Sequence, residues 1–142
     1  IIFFMEVNKM GLFETKYKDH MYVIFRICIG ALFMMFGIQK IFGLWNIPGG
    51  AAVFGTLVWF AGVFEIMIGL ALVFGVLTRL ASFFGIIQMI VAYGIHISMG
   101  GWNPAVNQGV PALVFMLSFL VTLAYGAKKA CLEKVVLGKE LF

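Results

Sequence analysis

Six residues in this chain join a hydrogen-bonding or ionisable side chain to an apolar setting: Glu65, Arg26, Gln39, Lys40, Gln88 and His96. Glu65 is the sharpest case, standing alone among apolar residues in "AGVFEIMIGLALVFG" at 61–75. A charged group at mid-membrane costs about 2.5–3.5 kcal/mol on insertion scales. Neighbouring Leu, Ile, Val and Phe, at roughly −0.3 to −0.6 kcal/mol each, offset that cost. Tolerance explains insertion but gives no reason to keep a glutamate. Such a carboxyl either holds a proton or sits against a cation, so Glu65 reads as a proton site or as half of a buried ion pair. Ionisable groups inside a membrane are functional candidates by default.

Depth selects the expected partner. Glu65 lies about 15 Å from the nearer, basic-tail end of its helix at 1.5 Å per residue. By the same rise Arg26 is about 6 Å in from that side and Lys40 about 27 Å in. Arg26 is nearer, its forked guanidinium engages a carboxylate with two bonds, and Lys40 is free to snorkel outward. A Glu65–Arg26 pair is therefore expected.

Gln39, Lys40 and His96 gather toward the opposite side with Trp45 and Trp102, and Gln88 lies deeper. Together they are expected to line a pocket, and its ligand class would be a quinone. Glutamine and histidine hydrogen-bond a quinone carbonyl, and aromatic walls pack its ring. Each member also has a structural reading: tryptophan is enriched at membrane interfaces, lysine snorkels, and histidine ties helices together. No metal site is expected, because His20 and His96 are too few and the methionines lack paired spacing. Cys28 and Cys131 form no C-x-x-C pair and read as free thiols on the cytoplasmic side.

These residues need elements to hold them. Of 142 residues, 63% are hydrophobic and 11% charged, with a mean hydropathy of +1.09. Soluble domains run near half apolar and a quarter charged, so an integral membrane protein is implied. Four apolar stretches match the roughly 20 helical residues that a bilayer core takes: Tyr22–Leu44, Val53–Gly75, Arg79–Met99 and Gly109–Ala127. Lys and Arg concentrate in the two tails and at Arg79, while "WNIPGGAA" and "GGWNPAVNQ" carry no charge. Both termini should then be cytoplasmic. The expected organisation is an N-terminal tail over 1–21, a membrane domain over 22–127 and a basic tail over 128–142. That last tail, with Lys128, Lys129, Lys134 and Lys139, reads as an amphipathic element on anionic lipid. The opening "IIFFM" lacks the flanks of a signal peptide, and Met5 or Met10 is the expected start.

Small residues mark where membrane helices touch. Gly55, Gly62 and Gly69 recur every seven residues, and Glu65 falls on their stripe. Arg26, Gly30, Phe33, Gly37 and Lys40 form the matching face of the first span; Ala81, Gly85, Gln88, Ala92 and His96 form that of the third. Polar residues share the small-residue face in all three. The fold class is thus all-α: four transmembrane helices in a bundle with a polar interior.

Three pieces resemble the DoxX family of small four-helix membrane proteins: "RICIGALFMMFGIQKIFG", "GVFEIMIGLALVFGVLTRLAS" and "NQGVPALVFMLSFLVTLAYGA". The resemblance spans Arg26 to Ala127. One departure is "NQGVPALVF", where Pro111 stands and no acidic residue occurs; proline in a first helical turn is structurally cheap. The resemblance implies a four-helix membrane fold in the cell membrane and an association with redox systems, since some members are similar to a membrane subunit of a thiosulfate:quinone oxidoreductase. Other members are linked to oxidative-stress complexes, and distant relatives look like assembly or cargo chaperones. It carries over no catalytic residues.

Three function classes follow. The first is an accessory subunit of a quinone-linked membrane redox complex. The second is a non-enzymatic scaffold or assembly factor. The third, a transporter with a proton-linked Glu65, fits four unbroken helices least well. No paired cysteines, haem ligand pair or dinucleotide motif occurs, so a stand-alone enzyme is not expected and a partner must bring the cofactor. Expected partners are the bilayer, other membrane redox subunits and further copies of the chain, with no nucleic acid.

Overall fold

The computed structural model describes residues 2–45 and 49–128, with side chains from Tyr17 onward. Four helices follow in order: α1 Ile2–Phe42, α2 Leu57–Phe74, α3 Thr78–Gly100 and α4 Val110–Tyr125. No strand occurs among the described residues. The segments Tyr17–Phe42, Leu57–Phe74 and Thr78–Gly100 are long and apolar enough to cross a membrane. α4 is apolar too, but its 16 residues reach about 24 Å, short of a core about 30 Å thick.

The helix ends differ from those expected, for local reasons. α1 runs back through the stretch read as a tail over 1–21. α2 starts at Leu57 because the Thr56 hydroxyl caps it, accepting from the Trp59 N–H at 3.3 Å. Gly55, at φ +81, therefore lies in the loop and not on the packing stripe. α4 is trimmed between Gly109 and Gly126, with Pro111 in its first turn, where a missing N–H costs nothing. Cys131 and the amphipathic element expected in the C-terminal tail lie outside the described residues.

The helices pair as two antiparallel hairpins, α1 with α2 and α3 with α4; contact between α2 and α3 is slighter and that between α1 and α4 slighter still. Glycine sets the first pairing. A methyl added at Gly37 would meet the Gly62 carbonyl oxygen at 2.5 Å, and one at Gly69 would meet the Gly30 carbonyl oxygen at 2.6 Å. Backbone touches backbone there, as small residues permit between membrane helices. One register holds both pairs, since seven residues forward on α1 match seven back on α2.

Between the hairpins lies an aromatic wedge. Phe33 of α1 sits edge-on to Phe119 at 4.8 Å between ring centroids and lies 5.1 Å from Phe115. Phe119 is fully buried against Gly85, where an added methyl would strike its ring at 2.7 Å. Leu72, Ile68 and Met89 complete the core. In α1, α2 and α3 every buried position lies on the tail side of Gly37, Gly62 and Met89 inclusive. The end nearest the tails, called the base here, is therefore the packed end, and the loop end is more open.

Gly37→Leu or Gly69→Leu should cost about 1–3 kcal/mol or more through overpacking. Gly94→Ala, where an added methyl has nothing within 4 Å, should be neutral or stabilise by up to about 1 kcal/mol. Thermal unfolding in detergent separates the two; equal effects would remove the register argument.

Candidate functional site

The glycine register decides which cation meets Glu65. With Gly37 on Gly62, Glu65 stands level with Met34. Lys40 is then six residues away toward the loop end, about 9 Å, and Arg26 eight residues away toward the base, about 12 Å. Direction reinforces distance, because Cα–Cβ bonds tilt toward a helix's own N-terminus. On antiparallel helices, Glu65 leans toward the loop end and Lys40 leans back to meet it, while Arg26 leans toward the base.

The structure accordingly pairs Lys40 Nζ with Glu65 Oε1. The expected Glu65–Arg26 pair is replaced. Gln88 of α3 adds a third helix: its Nε2 donates to the Ala61 carbonyl at 3.0 Å and to Glu65 Oε1 at 3.2 Å. The Glu65 side chain is 2% exposed and that of Lys40 32%, so the ammonium bridges the interior and the periphery. Glu65 Oε2, also buried, has no hydrogen-bond partner among the described residues. The triad can hold three helices in register, and its remaining oxygen can accept one further donor or a proton.

Arg26 serves the base instead. Its guanidinium, fully buried, donates through Nη1 to the Ala127 carbonyl, and the Tyr22 hydroxyl donates to the Gly126 carbonyl. Carbonyls just past α4 thus find donors, and a cation sits at the negative end of that helix's dipole. Beside them the Ser82 and Thr122 hydroxyls meet at 2.6 Å across α3 and α4, and Ser82 Oγ is 2.7 Å from the Thr78 carbonyl.

His96 is placed apart from the triad. Its Nδ1 lies 2.8 Å from the Asn107 carbonyl, inside the α3–α4 connection. Asn107 ties that connection, donating to the Gly101 carbonyl and accepting from the Gly109 N–H, each at 2.7 Å. Gln39 is half-buried and adds no hydrogen bond to the triad. Of the expected site residues, Glu65, Lys40 and Gln88 come together; Arg26, His96 and Gln39 do not. Asn107 and Thr122 carry structural bonds that their types and spacing do not announce. The Thr78 and Ser82 spacing of four on a small-residue face is the one available signal for the base cluster.

A sequence model of the DoxX family matches residues 21–98. The chain belongs to the DoxX family. The matched stretch is more than half of the chain and holds the whole triad and Arg26, ending inside α3. With the three long apolar helices, membership makes this DoxX-family chain a multi-pass membrane protein. Comparison with curated proteins and with solved structures found no match.

Lys40→Met strands a buried carboxylate and should cost about 3 kcal/mol, the low end for breaking a buried pair, because Lys40 is partly exposed. Glu65→Gln should cost less, since the freed lysine can snorkel, and the double variant should recover most of the Lys40→Met loss. Denaturation in mixed micelles reads the cycle. A Lys40→Met cost under about 1 kcal/mol would show that the pair does not balance Glu65.

Proposed function

We propose that this DoxX-family chain is an accessory subunit of a quinone-linked redox complex in the plasma membrane, with both tails cytoplasmic, and that it brings no cofactor of its own. The redox association rests on the family resemblance. The accessory role is supported by one observation: three of the four side chains expected to grip a quinone carbonyl, Lys40, Gln88 and His96, are already engaged by protein. Both N–H bonds of the Gln88 amide have acceptors, Lys40 is held by Glu65, and His96 Nδ1 faces Asn107. These three residues already spend the bonds a quinone head would need, so a neighbouring subunit would hold it. What the chain contributes is a rigid, charge-neutral three-helix clamp with lipid-facing or partner-facing flanks. The lysine-free loops and basic tails support the orientation.

A second reading, a proton-linked site, has Glu65 Oε2 in its favour, because that oxygen is buried and without a partner among the described residues. The scaffold class remains the outcome if no redox partner is found.

Native mass spectrometry of the protein purified in mild detergent from its own membranes tests the proposal. A co-purifying redox subunit is expected, with any quinone mass travelling with that subunit. Glu65→Gln should leave this association in place. A bare protein would sink the redox reading in favour of a scaffold, and a quinone retained by the isolated chain would overturn the cofactor-free role.

A further inference from the structure

The connection between α3 and α4, residues 101–109, stands apart from the triad and from the base, and its depth follows from the second hairpin. Ser82 meets Thr122 and Gly85 meets Phe119, so three residues forward on α3 match three back on α4. Continued, that register sets Val110, the first residue of α4, level with Gly94. Arg79 is exposed at the base and stays outside the hydrocarbon. A core of about 30 Å counted from Leu80 takes roughly 20 residues and ends near Met99. α4 therefore begins about 8 Å inside that edge.

The connection accordingly lies beside the last two turns of α3 and not above them. Tyr93 is seven residues short of Gly100, about 10 Å, yet its hydroxyl donates to the Trp102 carbonyl at 2.9 Å. A methyl added at Gly109 would strike the Tyr93 ring at 2.7 Å, and one at Gly100 would meet Asn107 Cβ at 2.8 Å. Protein supplies much of the hydrogen bonding that water supplies to a surface loop. The Gly101 and Trp102 carbonyls accept from the Asn107 and Tyr93 side chains. The Asn103 carbonyl accepts from the Val106 and Asn107 N–H groups, and that of Asn107 faces His96. The Asn103 and Asn107 side chains accept in turn from the N–H groups of Ala105 and Gly109, and Pro104 has no N–H to satisfy. Internal pairing of this kind is the condition on which non-helical backbone is tolerated at membrane depth.

The exposed side chains are of the opposite character. Trp102 is 80% exposed, Val106 69%, and Met99 at the end of α3 72%. They continue the apolar surface of Val91 and Ile95, also exposed on α3. From Leu80 to Ala127 no Asp, Glu, Lys or Arg occurs, so no charge on this stretch demands water. The exposed polar side chains of the connection, Asn103 and Gln108, are uncharged amides.

We propose that this connection is inserted in the leaflet at the loop end. Its backbone lies at the boundary between acyl chains and head groups, with Met99, Trp102 and Val106 against acyl chains. Tryptophan is enriched at that boundary. A connection standing in water would have no need of internal donors for its carbonyls, and would present three large apolar side chains to solvent. α4 and the inserted connection together cross what α4 alone is too short to cross.

The test uses the purified full chain in phosphatidylcholine nanodiscs, where reagents reach both faces. Val91→Cys, Val106→Cys and Arg79→Cys are made singly, with Cys28 and Cys131 replaced by serine. A charged, membrane-impermeant thiol reagent should label Arg79→Cys and fail to label Val91→Cys and Val106→Cys. In a Trp45→Phe, Trp59→Phe background, Trp102 emission should be quenched by lipid brominated high on its acyl chain and spared by aqueous iodide. Labelling of Val106→Cys at the Arg79→Cys rate would set the connection in water and overturn the proposal. Stronger quenching of Trp102 by iodide than by bromolipid would do the same. The Trp102 measurement leaves residues 93–109 unaltered, so it decides the matter should a cysteine variant fail to fold.

Discussion

The backbones of α1 and α2 touch at Gly30 with Gly69 and at Gly37 with Gly62, and that contact governs what can neutralise the buried carboxylate of Glu65. Helices this close cannot slide, because any other register would place a side chain where only hydrogen atoms fit. With register set, the tilt of side chains toward each helix's own N-terminus brings Lys40 and Glu65 together from opposite directions. Gln88 then binds the same oxygen from α3. A bundle surrounded by lipid gains little from hydrophobic exclusion between its helices. Close packing and a few interior polar bonds therefore carry its specificity.

Three ties join the two hairpins, and they sit at different depths. At the base Arg26 and Tyr22 hold the carbonyls after α4. Near mid-bundle Phe33 wedges against Phe115 and Phe119. Closer to the loops Gln88 spans to α2. Arg26 is buried where the Ala127 carbonyl and the C-terminal end of α4 favour a cation. With Arg26 away from Glu65, the interior holds two polar centres, one at the base around Arg26 and the Lys40–Glu65–Gln88 triad above it.

Much of this was legible in residue types and spacing. The face Arg26, Gly30, Phe33 and Gly37 is buried throughout, and Gly62, Glu65 and Gly69 are buried together on α2, because three- and four-residue steps keep residues on one side of any helix. The helix ends were less legible. Gly55 continues the heptad on paper, yet a hydroxyl cap at Thr56 starts α2 after it. Setting Tyr22 level with Gly75 misses the glycine register by two residues, about 3 Å, which is enough to reverse the order of Lys40 and Arg26. His96 shares a face with Gln88, but the connection after α3 folds back through Asn107 and takes its Nδ1.

Composition and periodicity alone determined that this chain forms apolar helices, that the first three each have one inward face of small residues, and that their few polar residues lie on those faces. That much depends on one helix at a time: the free energy of placing a side chain in lipid and the angle between successive residues. Which polar group meets which is a property of two helices at once. It depends on their relative register, on the direction each side chain leans, and on where the loops let each helix begin. Tertiary packing at the glycine contacts decided those three quantities, and with them the exchange of Arg26 for Lys40 as the partner of Glu65.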